Sequence, residues 1–306
     1  MMAGNRVLIL YYHRINISKI DYNLLCVSPI KFRQQMLYLK HQYQVVRFED
    51  DWESLDSDAV VITFDDGYRD NLEYALPILE ELEIPATIFI STGTINQNKE
   101  FWWDELEQIL IAGENVPPLL VLRDDEFDCQ WNTSTFEYRK NCYKGIHYIM
   151  KNLVGADKRE ELLRKLWEWK GEKRTVREKN MTLSRNDCKK LAESKMISIG
   201  GHTVSHPALA SLNIKEQEME IQLSVEKLSQ ITNRRITLFS YPFGAPGTDF
   251  DDETIEICRR NGIKKAASTE GRLWKPSMSR YCIPRRGVLD WGTGEFERKI
   301  MEYWKE

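Results

Sequence analysis

The sequence predicts an α/β protein built on a parallel sheet. Two observations carry that expectation: apolar, β-branched runs recur along the chain, and each is followed by a stretch with helical spacing. The runs are Val7–Tyr12, Ala59–Phe64, Ala86–Ser91, Ile197–Gly200, Ile236–Ser240 and Ile263–Ser268, with a weaker one at Gln44–Phe48. About seven strands alternating with helices indicate a sheet buried on both faces, either closed as a barrel or open and doubly wound.

The connecting segments support this in order. Ser28-Pro29 reads as an N-cap and first helical residue, with Phe32, Met36 and Leu39 at helical spacing behind it. Asn213 with Glu216 resembles a capping box ahead of Ile221, Val225 and Leu228. Thr254 to Arg260 closes at Asn261-Gly262, a helix stop. Residues 96–190 break the rhythm, starting with Phe101-Trp102-Trp103-Asp104 and continuing through charged, helix-prone sequence such as Lys158 to Trp167. The expectation is a single domain over 1–306 with a helical insertion at about 96–190. Trp102 and Trp103 either line a cleft from that insertion or pack the insertion onto the barrel.

Composition narrows the function. With 42% hydrophobic and 29% charged residues among 306, a full-sized core is expected. A net charge of −4 gives no electrostatic reason to expect nucleic acid as partner. No apolar run approaches the roughly 18–20 residues that span a bilayer. Val7–Tyr12 is too short for a secretory signal, so the expected location is cytoplasmic. Six cysteines lack any C-x-x-C spacing, which suits reduced thiols rather than a cysteine metal site.

Chemically capable residues stand just past the ends of the apolar runs. His13 follows Val7–Tyr12, Asp65 and Asp66 follow Ala59–Phe64, His202 and His206 follow Ile197–Gly201, and Tyr241-Pro-Phe-Gly244 follows Thr237–Ser240. In a parallel β/α barrel those ends share one face, so distant segments converge. Two adjacent carboxylates repel unless a cation or proton separates their roles. His202 and His206 reach one metal if their segment turns helical, and the paired glycines before them let a ligand approach the backbone. Two imidazoles and one carboxylate leave open metal positions; the second carboxylate can then take a proton from water. A departing amine needs an acid, and His13 is the spare strand-end histidine. His41 and His147 lie in helix-like segments and are read as ordinary.

Thr63-Phe64-Asp65-Asp66-Gly67, followed by His202-Thr203-Val204-Ser205-His206, resembles the polysaccharide deacetylase family (the NodB-homology, carbohydrate esterase family 4 group). Ser240-Tyr241-Pro242-Phe243-Gly244 and Ile84–Ile90 resemble further elements of it, and the similarity spans roughly 7–92 and 193–290. The resemblance implies a distorted (β/α) barrel and a divalent metal, most often Zn2+. By motif it makes Asp65 the general base and Asp66, His202 and His206 the metal ligands, with the backbone N–H near Phe243 in an oxyanion role. No histidine follows His206, and Val7–His13 with Arg14-Ile15 resembles the permuted subgroup typified by poly-N-acetylglucosamine deacetylases, whose acid histidine comes from the first strand. Ile283-Pro284-Arg285 resembles a late Leu-Pro-Arg element there, so Arg285 orients Asp65, contacts substrate, or is an exposed surface arginine. Tyr12 and Tyr241 either line a sugar subsite or belong to the core, and Asp290-Trp291 falls one strand too late to match an Asp-Trp motif.

The implied reaction is hydrolysis of the N-acetyl group of an amino sugar or glycan precursor. Two alternatives stand beside it: an N-deformylase or cyclic-amide hydrolase on the same site, and a glycan-binding module that has lost catalysis. A cytoplasmic location would favour a nucleotide-linked, lipid-linked or soluble sugar precursor as the substrate.

Overall fold

The computed structural model describes residues 5–123 and 127–306. They form two compact units, one from the residues up to Gln97 with Thr182–Glu306, the other from Asn98–Met181.

The larger unit is built on an eight-stranded, wholly parallel sheet: β1 (Val7–Tyr12), β2 (Gln44–Val45), β3 (Ala59–Phe64), β4 (Ala86–Ile90), β5 (Ile197–Gly201), β6 (Leu238–Ser240), β7 (Lys265–Ala267) and β8 (Arg286–Gly287). Seven of them run in the order β8-β1-β3-β4-β5-β6-β7, while β2 pairs with the first half of β3. The two ends of this path meet. Ile283, three residues before β8, bridges Ala267 of β7, so Ile283–Gly287 closes the sheet into a distorted (β/α) barrel. β8 went unread in the sequence because its two residues carry no apolar run.

Period-two alternation gives each strand two kinds of core. Val7 and Ile9, Ala59 and Val61, Phe89, Leu238, Ala267 and Ile283 fill the interior, over a floor of Phe48, Trp52 and Trp274. Leu8, Leu10, Tyr12, Val60, Ile62, Phe64, Ile88 and Ile90 face the surrounding helices. At the floor, Lys265 donates to the carbonyls of Phe48 and Asp50 at 2.9 and 2.5 Å, its ammonium 3.7 Å above the Trp52 ring.

The helices, in chain order, are α1 (Pro29–Gln42), α2 (Leu76–Glu81), then α3 (Trp102–Leu110), α4 (Phe136–Asn152) and α5 (Ala156–Lys170) of the smaller unit, and α6 (Arg185–Glu193), α7 (Ile214–Thr232), α8 (Asp252–Arg260) and α9 (Thr293–Tyr303). Their starts follow local chemistry: Ser28 precedes Pro29 at N1 of α1, and Asn213 and Glu216 form a reciprocal capping box on α7. No described helix is long and apolar enough to cross a membrane.

The smaller unit is not purely helical, as an antiparallel hairpin pairs Leu119–Arg123 with Asp128–Asn132. Leu120 and Leu122 are buried while Leu119, Val121 and Arg123 are exposed, the alternation of a one-sided hairpin. Trp102 and Trp103 serve this unit's own packing: Trp103 stacks on Phe101 at 4.5 Å and Trp102 lies 4.8 Å from His147.

Candidate active site

The inner file of β3, Ala59, Val61 and Thr63, continues into Asp65, whose carboxylate therefore enters the barrel at its C-terminal pole. A regular strand would send Asp66 outward. Instead Asp66 adopts a left-handed φ of 74° and Gly67 follows at 87°, which turns the chain and brings the second carboxylate to the same pole. A Cβ on Gly67 would lie 2.9 Å from Ile90 Cγ2, so this turn requires glycine.

Asp66, His202 and His206 converge: one ligand atom from each lies within 4.8 Å of the others, and all three are buried. Asp66 Oδ1 stands 3.5 Å from His202 Nε2 and 3.3 Å from His206 Nε2. His202 Nδ1 lies 2.7 Å from the Ser240 carbonyl oxygen. A carbonyl only accepts, so Nδ1 carries the proton, and a neutral His202 points its Nε2 lone pair at Asp66. Two acceptors then face each other, and only a proton or a metal ion between them relieves the clash. The donor set of two imidazoles and a carboxylate, one ring fixed by an outer hydrogen bond, fits a divalent transition metal. Burial is the largest influence on Asp66 and would raise its pKa; with a proton between the groups, hydrogen bonds from His202 and His206, with the charge of His13, overcome it and hold the carboxyl well below the ordinary range.

The His202–His206 segment is not helical, contrary to the route expected from spacing. Thr203 and His206 both take left-handed φ values, 65° and 55°. The Thr203 hydroxyl accepts the His206 N–H at 3.0 Å, and Glu220 of α7 accepts from Val204 N–H, Ser205 N–H and the Ser205 hydroxyl at 2.8, 2.8 and 2.7 Å. A bend clamped from both sides thus sets the two rings 4.9 Å apart. The glycines before it serve packing: a Cβ on Gly200 would lie 2.4 Å from Phe89 Cδ1, and one on Gly201 3.1 Å from Phe239 Cδ2.

Asp65 is held differently. Arg285 grips it with two parallel bonds, Nη1 to Oδ1 at 2.8 Å and Nη2 to Oδ2 at 2.7 Å. The same guanidinium donates to the Ser268 carbonyl, Thr63 Oγ1 and Ser240 Oγ, and lies 4.9 Å over the Tyr11 ring. Arg285 is fully buried. It is thus not the exposed surface arginine that the sequence also allowed, and its paired bonds fix the orientation of Asp65. Burial pushes the Asp65 carboxyl up most strongly, yet Arg285, helped by His202 and His13, lowers it overall.

His13 follows β1 and is near enough for its charge to act on both carboxylates. Its carbonyl accepts from Asn71 Nδ2 at 2.8 Å, and its ring meets Tyr11 edge-on at 5.6 Å. Phe243 lies beside the cluster, its ring 4.8 Å from that of His206 and its backbone left-handed at φ 60°. Thr269 holds this turn, its hydroxyl donating to the Phe243 carbonyl at 2.7 Å.

Tyr241 does not belong to a substrate subsite. Its ring is fully buried, stacked on Phe250 at 3.8 Å, and its hydroxyl donates to the Tyr281 carbonyl at 3.0 Å. Period-two alternation accounts for this: Leu238 and Ser240 face the interior, so Phe239 and Tyr241 fall together in the helix-facing core. Tyr12 is likewise core, with its hydroxyl on Gln35 Oε1 at 3.1 Å. Asp290 binds Lys31 and the Ser28 N–H, anchoring the start of α1. Sequence reasoning missed Glu220, which bears no local signal on its helix, and the hydroxyls of Thr63 and Ser240, which sit inside recognised motifs.

With this geometry in hand, comparison with known proteins is direct. The profile of the family described as polysaccharide deacetylase matches residues 53–116 and 170–266. YxkH of Bacillus subtilis strain 168, whose name places it with the polysaccharide deacetylases, is 22% identical over 284 residues, covering 90% of this chain and 69% of YxkH. Among solved structures, the deacetylase PplD of Streptococcus pyogenes superposes with a TM-score of 0.63 at 18% identity, over 98% of this chain and 99% of PplD. IcaB of Ammonifex degensii gives 0.60 at 17% identity, over 98% and 97%. The chain belongs to the polysaccharide deacetylase family, and is thereby a hydrolase of carbon–nitrogen bonds, an N-deacetylase.

Proposed function

We propose that the protein is a metal-dependent deacetylase of an N-acetylated amino sugar or glycan precursor, with Asp66, His202 and His206 as metal ligands, Asp65 as general base and His13 as general acid. The observation that carries this reading is the division of labour between two adjacent buried carboxylates. Asp66 faces two imidazoles, while Asp65 is gripped by a guanidinium.

A divalent cation on the first set, zinc foremost for two nitrogens and one oxygen, supplies the Lewis acidity that acidifies water and polarises an acyl carbonyl. Asp65, ionised and oriented by Arg285, accepts the proton of the attacking water. His13 delivers a proton to the departing amine nitrogen. The backbone N–H of Phe243, beside His206, receives the charge that develops on the acyl oxygen. Acetate and a free amino sugar result, and PplD, of the same fold, is a deacetylase solved in complex with acetate. We place the protein in a reducing compartment, the cytoplasm; its six free cysteines, four of them buried, support this.

The test is metal content and acetate release across a panel of N-acetyl sugars, oligomers and nucleotide sugars. Asp65→Asn and His13→Ala should retain stoichiometric zinc and lose roughly 100-fold or more in turnover, the usual scale for a missing acid or base. His202→Ala should lose the metal. Failure of the wild-type protein to bind zinc, or full turnover by Asp65→Asn, would sink the reading.

A further inference from the structure

Asp70 is a buried carboxylate that the reaction above does not use. It sits four residues beyond Asp66, at the entry to a π-helical turn (Asn71–Ala75). Such wide turns interrupt regular helices mostly where a side chain has to be re-aimed. On the extension of the first strand, Asp70 takes its partners from the residues just beyond His13. Its Oδ1 accepts the Ile15 N–H at 3.1 Å, and its Oδ2 accepts from Arg14 Nε at 3.3 Å and from Asn16 Nδ2 at 3.5 Å. Asn71 adds the bond from Nδ2 to the His13 carbonyl, and the same amide donates to Asp70 Oδ1 at 3.1 Å.

The arrangement fills a structural need. β1 ends at Tyr12, and Arg14–Ile15 then leave the barrel to pair with Cys26–Val27. His13 therefore stands at a corner between two sheets, where its carbonyl is met by the Asn71 side chain and not by a neighbouring strand. Burial raises the Asp70 carboxyl, only partly offset by Arg14 and the Ile15 N–H, so keeping an acid here is costly and asks for a purpose.

We propose that Asp70, with Asn71, is a positioning residue for His13, through which the loop carrying Asp65 and Asp66 sets the distance between the proton donor and the reacting acyl group. This rests on His13 being the acid. The two carboxylates and the clamp lie on one short segment, 65–71, so the strand bearing the acid is referenced directly to the base.

The experiment uses the full zinc-loaded chain and two probes: the best N-acetyl sugar of the panel, whose amine leaves only with a proton, and 4-nitrophenyl acetate, whose leaving group needs none. Asp70→Asn, Asp70→Ala and Asn71→Ala should lower kcat on the amide by about 10- to 100-fold, the scale of a misplacement near 1 Å. KM and zinc content should hold, and the aryl ester should lose less than about twofold. Should Asp70→Ala fold poorly, the near-isosteric Asp70→Asn and the neighbouring Asn71→Ala still decide between the outcomes. In a His13→Ala background the Asp70→Asn loss should vanish, since both act on one step. Equal losses on amide and ester, additive losses with His13→Ala, or wild-type amide turnover by Asp70→Asn and Asn71→Ala would overturn the clamp. Wild-type amide turnover by His13→Ala would instead remove the acid assignment itself.

Discussion

At the scale of single residues, the pole of the barrel is organised by which partner each acid meets. Asp65 and Asp66 are neighbours in sequence and both buried, yet one is answered by a guanidinium and the other by two imidazoles. Removing Arg285 should therefore injure one carboxylate only. Arg285→Met leaves Asp65 buried without its guanidinium, a defect that costs about 3–5 kcal/mol in other buried pairs. We expect a marked loss of thermal stability and of kcat/KM with zinc content unchanged, and partial recovery in Arg285→Lys, which restores charge without the planar fork. Zinc loss in Arg285→Met would contradict this separation. Much of the pole was legible in the sequence, because the motifs place Asp65, Asp66, His202 and His206 just past strand ends and Arg285 in a recognised late element. What misled was direction: Tyr241 stands in a recognised motif, but alternation along β6 puts it with Phe239 on the helix-facing side and leaves Ser240 to face the pole.

At the scale of elements, strand ends deliver side chains and loops aim them. The bend between His202 and His206 has two left-handed residues that are not glycine, a conformation with a cost of order 1–3 kcal/mol each. Glu220, reaching from α7 to two consecutive N–H groups, offsets it. Glu220→Ala should weaken zinc binding by about 10- to 100-fold, the range for outer-sphere partners, measurable by competition with a chelator. It should also shrink the rise in melting temperature that zinc gives. An unchanged affinity would mean Thr203 alone holds the bend. Spacing allowed a helical route for this segment because four-residue separation suits a helix face. The tertiary clamp from α7 lies too far along the chain to be read locally.

At the scale of the whole molecule, the barrel of the larger unit has two unlike poles. Acids, imidazoles and the guanidinium gather at the C-terminal ends of the strands, while the other end is stoppered by Phe48, Trp52, Trp274 and the stem of Lys265. Burial lowers the Lys265 ammonium to about 8, against the pull of Asp50, Glu49 and Asp51. The folded protein therefore binds fewer protons than the unfolded chain between about 8 and the ordinary 10.5, and stability contributed by this group rises with pH across that window. Urea midpoints taken from about pH 7 to 10 should show that rise in the wild type and not in Lys265→Met, while acetate release at neutral pH stays the same. Parallel curves would refute it. The α/β alternation foretold the parallel sheet, but the choice between open and closed depended on one short segment, Ile283–Gly287, with no strand signature.

That closing segment also decides when the protein becomes competent during its own synthesis. Arg285 and Asp65 are 220 residues apart. A nascent chain displays both carboxylates early and both histidines well before the seam, but nothing yet neutralises or aims Asp65. Only when the closing segment leaves the ribosome does the ring shut and the guanidinium arrive. Seam and guanidinium lie on the same short segment, so on the proposed mechanism products truncated before it would carry both carboxylates and both histidines without the group that aims Asp65.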